Sequence, residues 1–255
     1  MTAYLIYFAA GAVFGSFFYT LALRYINGSM KESCVRALFS RSECPSCGAV
    51  LSVIPLIPLL GFVFLKGRCR ACHAHISFLY PLMEILYGLL AVLIARFHGA
   101  DLLSFSVYLI SALCITIAII DLKTMLIPLS LIIVFIVLSL YPVIFHNNLM
   151  DNFYGFLFLS VFFLVIMFIF PGAFGGGDLK FYAAAGFLLG LEMSVVLLEV
   201  SLLLGSVCGI IWVLARGQNF RIKMPFAPFI SAGIIITLLF GDTIILYYYR
   251  HIMSF

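Results

Sequence analysis

Eight stretches of almost unbroken apolar residues, each closed off by polar or turn-forming residues, limit what this chain can fold into. They run over approximately 4–23, 78–97, 102–120, 125–145, 153–171, 179–191, 194–215 and 226–249. A run of about 20 apolar residues crosses the ~30 Å hydrocarbon core of a bilayer as a helix. With 65% of its 255 residues hydrophobic and 9% charged, the chain carries more apolar side chain than a soluble domain could bury. The reading is an all-α polytopic membrane protein with about eight transmembrane helices, whose first partner is the lipid bilayer. The sixth run is short and opens on a glycine-rich turn, a backbone irregularity tolerated where protein or water rather than lipid surrounds it. The N-terminal MTAYLIYFAAGAVF has neither a basic leading region nor a small-residue cleavage site, and reads as a retained first span.

The longest polar stretch, 25–77, separates the first two spans and holds or adjoins Arg24, Lys31, Arg36, Arg41, Lys66, Arg68 and Arg70. Basic residues accumulate on the cytoplasmic side of membrane proteins. With this loop inside and eight alternating spans, Lys123, Lys180, Arg216, Arg221 and Lys223 fall inside as well. That makes twelve of the fourteen Lys and Arg, leaving Arg96 and Arg250 near the outer face. The expected outer loops HGAD, HNNLMDN and LEM contain no Lys or Arg. The net charge of +4 therefore reports membrane sidedness and gives no reason to expect nucleic acid as a partner.

Within the loop, Cys44-Pro-Ser-Cys47 and Cys69-Arg-Ala-Cys72 form two CxxC pairs separated by 21 residues. Four thiolates so spaced match a closed tetrahedral structural zinc site. A reducing compartment favours metal over disulfides. The expectation is a cytoplasmic zinc-ribbon-like loop. Gly48 suits the tight turn of a metal knuckle, and His73 stands at the equivalent place in the second pair. Cys34, Cys114 and Cys208 have no such spacing, and His75 and His98 read as surface or interfacial residues. The intervening LSVIPLIPLLGFVFL is only about 15 residues long and broken by Pro55 and Pro58, so it reads as interfacial or re-entrant.

Only ten acidic residues are present, and two of them end or begin apolar runs: Asp121 in IAIIDLKTMLIP and Asp178 in PGAFGGGDLK. An ionisable group at the edge of the hydrocarbon core needs a partner or a function. The same alternation that sorts the basic residues puts both aspartates at cytoplasmic span ends, where they could meet as a dyad sharing one proton. Gly175, Gly176 and Gly177 are expected to give close backbone approach and positive-φ conformations before Asp178. Taken singly, each aspartate could also be a helix-end residue, Asp178 as an N-cap. Lys123 and Lys180 read as membrane anchors.

Taken in order, GSFF (15–18) with Arg24, CPSCG (44–48), GRCRAC (67–72), ISFLYPLMEILYG (76–88), DLKTMLIP (121–128), GGGDLKFYAAAG (175–186) and KMPFAPFISAG (223–233) resemble the type IV prepilin peptidases. These form the leader peptidase/N-methyltransferase family of GxGD-type membrane aspartic proteases. Tyr19, Leu79 and Leu129 depart from the family pattern. The resemblance implies a protein of the bacterial cytoplasmic (inner) membrane with its active site facing the cytoplasm. It would cleave the basic leader of type IV prepilins or type II secretion pseudopilins after a glycine, and members of the family also methylate the new N-terminus with S-adenosylmethionine. It implies Asp121 and Asp178 as the catalytic pair and Cys44, Cys47, Cys69 and Cys72 as zinc ligands. Residues 1–100, with the loop 25–77, would form the methyltransferase part and 101–255 a six-span protease part. Glu84, an acid near the end of a span, is a candidate in methyl transfer or equally a hydrogen-bonding group of the bundle. An ion-coupled transporter, or a non-enzymatic zinc-loop scaffold of pilus or secretion assembly, are the competing classes.

Overall fold

In a bilayer every backbone N–H and C=O must find its partner within the protein, so an apolar segment of this length becomes helical whatever its local propensity. The computed structural model describes residues 2–28, 43–44, 46–50, 57–145, 148–216 and 224–251. Cys34, Lys31, Arg36, Arg41, Pro55, Arg221, Lys223 and the first part of the interrupted apolar segment, 51–56, lie outside the described residues.

Helices cover all eight predicted spans. They are α1 (Thr2–Ile26), α3 (Leu79–His98), α4 (Leu102–Thr124), α5 (Leu129–Phe145), α6 (Leu149–Ile169), α7 (Gly176–Leu189), α8 (Leu191–Arg216) and α9 (Ala227–His251), with a five-residue helix α2 (Leu60–Phe64) in the loop. Six of them are long and apolar enough to cross a membrane: α1, α3, α4, α6, α8 and α9. The 17-residue α5 and the 14-residue α7 are shorter. At 1.5 Å per residue α7 rises only ~21 Å. No β-strand occurs among the described residues. The protein is therefore an all-α polytopic membrane protein.

Two expectations about connections need correction. Leu191–Met193 is not a loop, because α8 begins at Leu191 and a single residue, Gly190 at φ 79°, turns the chain between α7 and α8. Positive φ is likewise absent from Gly175, Gly176 and Gly177 and falls instead on Gly172. Gly175 is extended (φ −84°, ψ 155°), and the next two glycines already belong to α7. At Gly177 what counts is the missing side chain, while Gly176 faces open space. A Cβ on Gly177 would stand 3.1 Å from Ile127 Cβ in the α4–α5 connection.

The chain divides into two compact units, Met1–Ser104 and Phe105–Phe255. In the first, α1 and α3 cross on small residues: a Cβ on Gly11 would come within 2.6 Å of Ala91 Cβ, and one on Gly15 within 2.6 Å of Tyr87 Cβ. In the second, α6 and α7 touch backbone to backbone where Gly155 faces Gly186 and Gly190. An added Cβ on Gly155 would lie 2.5 Å from Gly186 O. Between helices immersed in lipid, such close approach supplies the van der Waals attraction that the hydrophobic effect does not. Asn152, buried on the same seam, donates through Nδ2 to Phe187 O at 2.8 Å and Leu188 O at 3.1 Å.

Replacing Gly155 by leucine forces α6 and α7 apart, an overpacking that costs about 3 kcal/mol at the upper end of the usual range. Thermal unfolding in detergent is the measurement. A G155L protein melting with the wild type would remove the close crossing from the account of stability.

Candidate functional site

Asp121 lies in the last turn of α4 and is 4% exposed. A polar group so placed must be hydrogen-bonded. Its Oδ2 accepts the backbone N–H of Ala227, the first residue of α9, at 3.0 Å, and the Phe226 N–H is also directed at it. The α9 N-terminus, with amides that have no partner inside the helix, thus receives a carboxylate from another helix. Just beyond, Met125 N–H closes on Asp121 O at 2.8 Å and Met125 takes φ 53°, which turns the chain sharply out of α4. That turn sends Ile127 back against Gly177 at the start of α7.

Asp178 is the third residue of α7 and is half-buried. Gly175, not Asp178, is the N-cap; Asp178 Oδ2 reaches back to accept the Gly175 N–H at 2.9 Å. The Asp121 and Asp178 carboxylates lie near enough for their charges to interact. The two sequence-predicted acids therefore come within electrostatic reach of each other, although 57 residues separate them along the chain (178 − 121). Lys123 and Lys180 are exposed and make no ion pair with either acid among the described residues.

Behind the acids is an aromatic cluster that sequence reasoning missed. Phe174, which precedes the glycine triplet, meets Phe226 edge to face at 4.9 Å and Phe163 at 5.0 Å. Phe163 stacks on Tyr182 at 4.0 Å, and the buried Tyr182 hydroxyl hydrogen-bonds Ser201 Oγ at 2.6 Å. Tyr182 stands four residues after Asp178, hence on the same face of α7. The signal for Phe226 was its place in KMPFAPFISAG; nothing local distinguishes it from the other phenylalanines.

In the other unit, Cys44, Cys47, Cys69 and Cys72 bring their sulfurs within 4.8 Å of one another. Four thiolates around zinc at ~2.3 Å sit about 3.8 Å apart. The Cys44 and Cys72 sulfurs stand 3.9 Å apart, so the set fits that ion. Each pair is a knuckle of the same shape. Gly48 N–H returns to Cys44 O and Cys44 N–H to Ala49 O, while His73 N–H returns to Cys69 O and Cys69 N–H to Ala74 O. A bridge closes each turn, Glu43 with Val50 and Arg68 with His75. His73 (φ 58°) and Gly48 (φ 69°) hold the same left-handed position. The Ser46 and Cys47 amides point at Cys44 and draw its thiol down to about 6, so that it is largely thiolate at neutral pH.

Glu84, buried in α3, gives its Oε2 to the Leu59 N–H at 2.7 Å. Leu59 precedes α2 with φ 62°, an unfavourable conformation for a leucine, and the carboxylate holds it there. A cavity of about 560 Å³ beside the second knuckle is lined by Phe64, Leu65, Lys66, Arg68, Cys69, Arg70 and His73. Lys66, Arg68 and Arg70 make its wall basic.

Residues 9–97 match the model of the bacterial peptidase A24 N-terminal domain, and residues 108–214 that of the type IV leader peptidase family. The chain belongs to the type IV leader peptidase family. It is 36% identical, over 96% of its length and 97% of the relative's, to the prepilin leader peptidase/N-methyltransferase of Bacillus subtilis (strain 168). It is 33% identical to the protein of the same name from Aeromonas salmonicida, over 84% of this chain and 76% of that one. No solved structure matches.

Changing Cys44 and Cys47 together to serine removes half the sulfur set. Metal analysis of the purified protein is expected to fall from one zinc per chain to none. A wild-type protein prepared without chelators that carries no zinc would refute the assignment.

Proposed function

We propose that the chain is a membrane aspartic endopeptidase that removes the basic leader of type IV prepilins or pseudopilins after a glycine, at the cytoplasmic face of a bacterial inner membrane. The observation that carries this reading is the placement of Asp121 and Asp178, within electrostatic reach of each other, at helix ends that the Ile127–Gly177 contact brings together. Two neighbouring carboxyl groups do not readily ionise together, which leaves one as acid and one as base. The ionised carboxylate takes a proton from water while the water oxygen adds to the scissile carbonyl carbon. The protonated carboxyl gives its proton to the departing amide nitrogen as the C–N bond breaks. Each acid is held by a backbone amide through Oδ2, which fixes its orientation.

The substrate supports this placement. A prepilin carries a positive leader before an apolar helix, so its cleavage point lies where the lipid ends. The basic bias of the loops favours the cytoplasmic side for that end. Residues 1–100 form the methyltransferase part and 101–255 the peptidase part. The four cysteines hold a structural zinc that folds a loop with little core of its own. N-methylation of the released terminus is the second activity, with S-adenosylmethionine as donor. Glu84 serves it by holding the Leu59 turn of the zinc loop. A transporter is disfavoured because the acids sit at helix ends rather than midway along a broken pair of repeats.

Asp121→Asn and Asp178→Asn are each expected to leave the protein folded and to lower prepilin processing at least about 100-fold. Incubation of membranes with a prepilin, followed by mass spectrometry, reads leader loss and an added methyl together. Full processing by either variant would sink the dyad.

A further inference from the structure

The side chains of Met224, Pro225 and Phe226 have no role in the chemistry above, yet the segment touches the carriers of both acids. Its last residue is followed by Ala227, whose N–H binds Asp121 Oδ2 at 3.0 Å. Its ring meets Phe174 edge to face at 4.9 Å, and Phe174 leads directly into the glycine triplet and Asp178. The same ring lies 6.4 Å from that of Tyr182, which stands one turn beyond Asp178, and 5.6 Å from that of Phe229.

The segment is seated as well as connected. A Cβ on Gly205 of α8 would come within 2.6 Å of the Phe226 ring, and one on Gly209 within 3.3 Å of the Met224 methyl. Gly205 and Gly209, one helical turn apart, make a groove that both side chains enter. The ring is thus wedged between α8 and Phe174, while the adjoining backbone holds Asp121.

We propose that Phe226 is a positioning residue that sets the separation of the two carboxyl groups, the edge contact with Phe174 serving as the spacer between them. This rests on the peptidase reading of Asp121 and Asp178. Phe226 is half-buried, and its ring acts through the Ala227 amide on one side and the Phe174–Asp178 segment on the other. Misplacement of a catalytic group by about 1 Å lowers rates about 100-fold. Binding of a substrate helix elsewhere on the protein is unaffected.

Purified wild-type, Phe226→Ala, Phe226→Leu and Phe174→Ala proteins, and the Phe174→Ala/Phe226→Ala double variant, are compared for cleavage of a prepilin peptide across pH. Phe226→Ala is expected to lower kcat by about 100-fold with KM within about threefold. The bell of activity against pH is expected to narrow, because acids moved apart titrate with closer apparent pKa values. Phe226→Leu, which keeps most of the volume, recovers part of kcat and remains the test if the alanine variant does not fold. The double variant is expected to lose no more than the worse single one, since both remove one spacer. Unchanged kcat and bell width in Phe226→Ala, or in Phe226→Leu if only that variant folds, overturns the proposal while leaving the peptidase reading intact. So does a loss in the double variant equal to the product of the single losses. A wild-type protein that cleaves no prepilin overturns both.

Discussion

One buried hydrogen bond, from the Ala227 amide to Asp121, joins residues 106 positions apart and ties the end of α4 to the beginning of α9. It answers two difficulties at once. A carboxyl group almost without exposure needs a donor, and a helix N-terminus needs acceptors for its free amides. A second tie binds the same two helices deeper in the bundle, where Ser231 Oγ donates to Cys114 O at 2.8 Å. With α4 and α9 fixed to each other, the sharp turn at Met125 brings Ile127 against the start of α7. The site is thus a consequence of how helix ends are satisfied as much as of the acids themselves.

The spans were legible because hydrocarbon imposes a length and a composition that few other environments demand. The cysteine cluster was legible because its ligands come as two CxxC pairs, a spacing typical of structural zinc sites. His73 at the place of Gly48 was a visible departure, and its positive φ shows that the knuckle dictates the backbone even where the residue is poorly suited. Other features were hidden for physical reasons. Gly190 alone makes the turn before α8, since one residue at positive φ can reverse a chain where three polar-flanked residues suggested a loop. The glycine triplet was half legible: close approach holds at Gly177, where Ile127 stands, but none of the three takes a positive φ.

The aromatic cluster was the least legible part. With 27 phenylalanines in the chain, a ring that faces lipid and a ring that spaces two catalytic segments share the same local pattern. Phe168 and Phe226 illustrate this. The first is 87% exposed on α6, whereas the second is wedged against Gly205 and Phe174. Only tertiary contacts separate the two. Glu84 was equally ambiguous, and its bond to the Leu59 amide shows how an acid in a span can serve backbone geometry.

The shortness of α7 bears on the membrane itself. It packs against α5, also short, with Phe181 meeting Phe135 edge to face at 5.7 Å, so neither helix makes up the length the other lacks. Both begin beside the paired acids. Two neighbouring helices that fall short of a bilayer by several ångströms leave a mismatch that lipid thinning or flanking residues must absorb, at a fraction of a kcal/mol per ångström. That mismatch makes bilayer thickness a variable that bears on the two helices whose first turns lie nearest the acids.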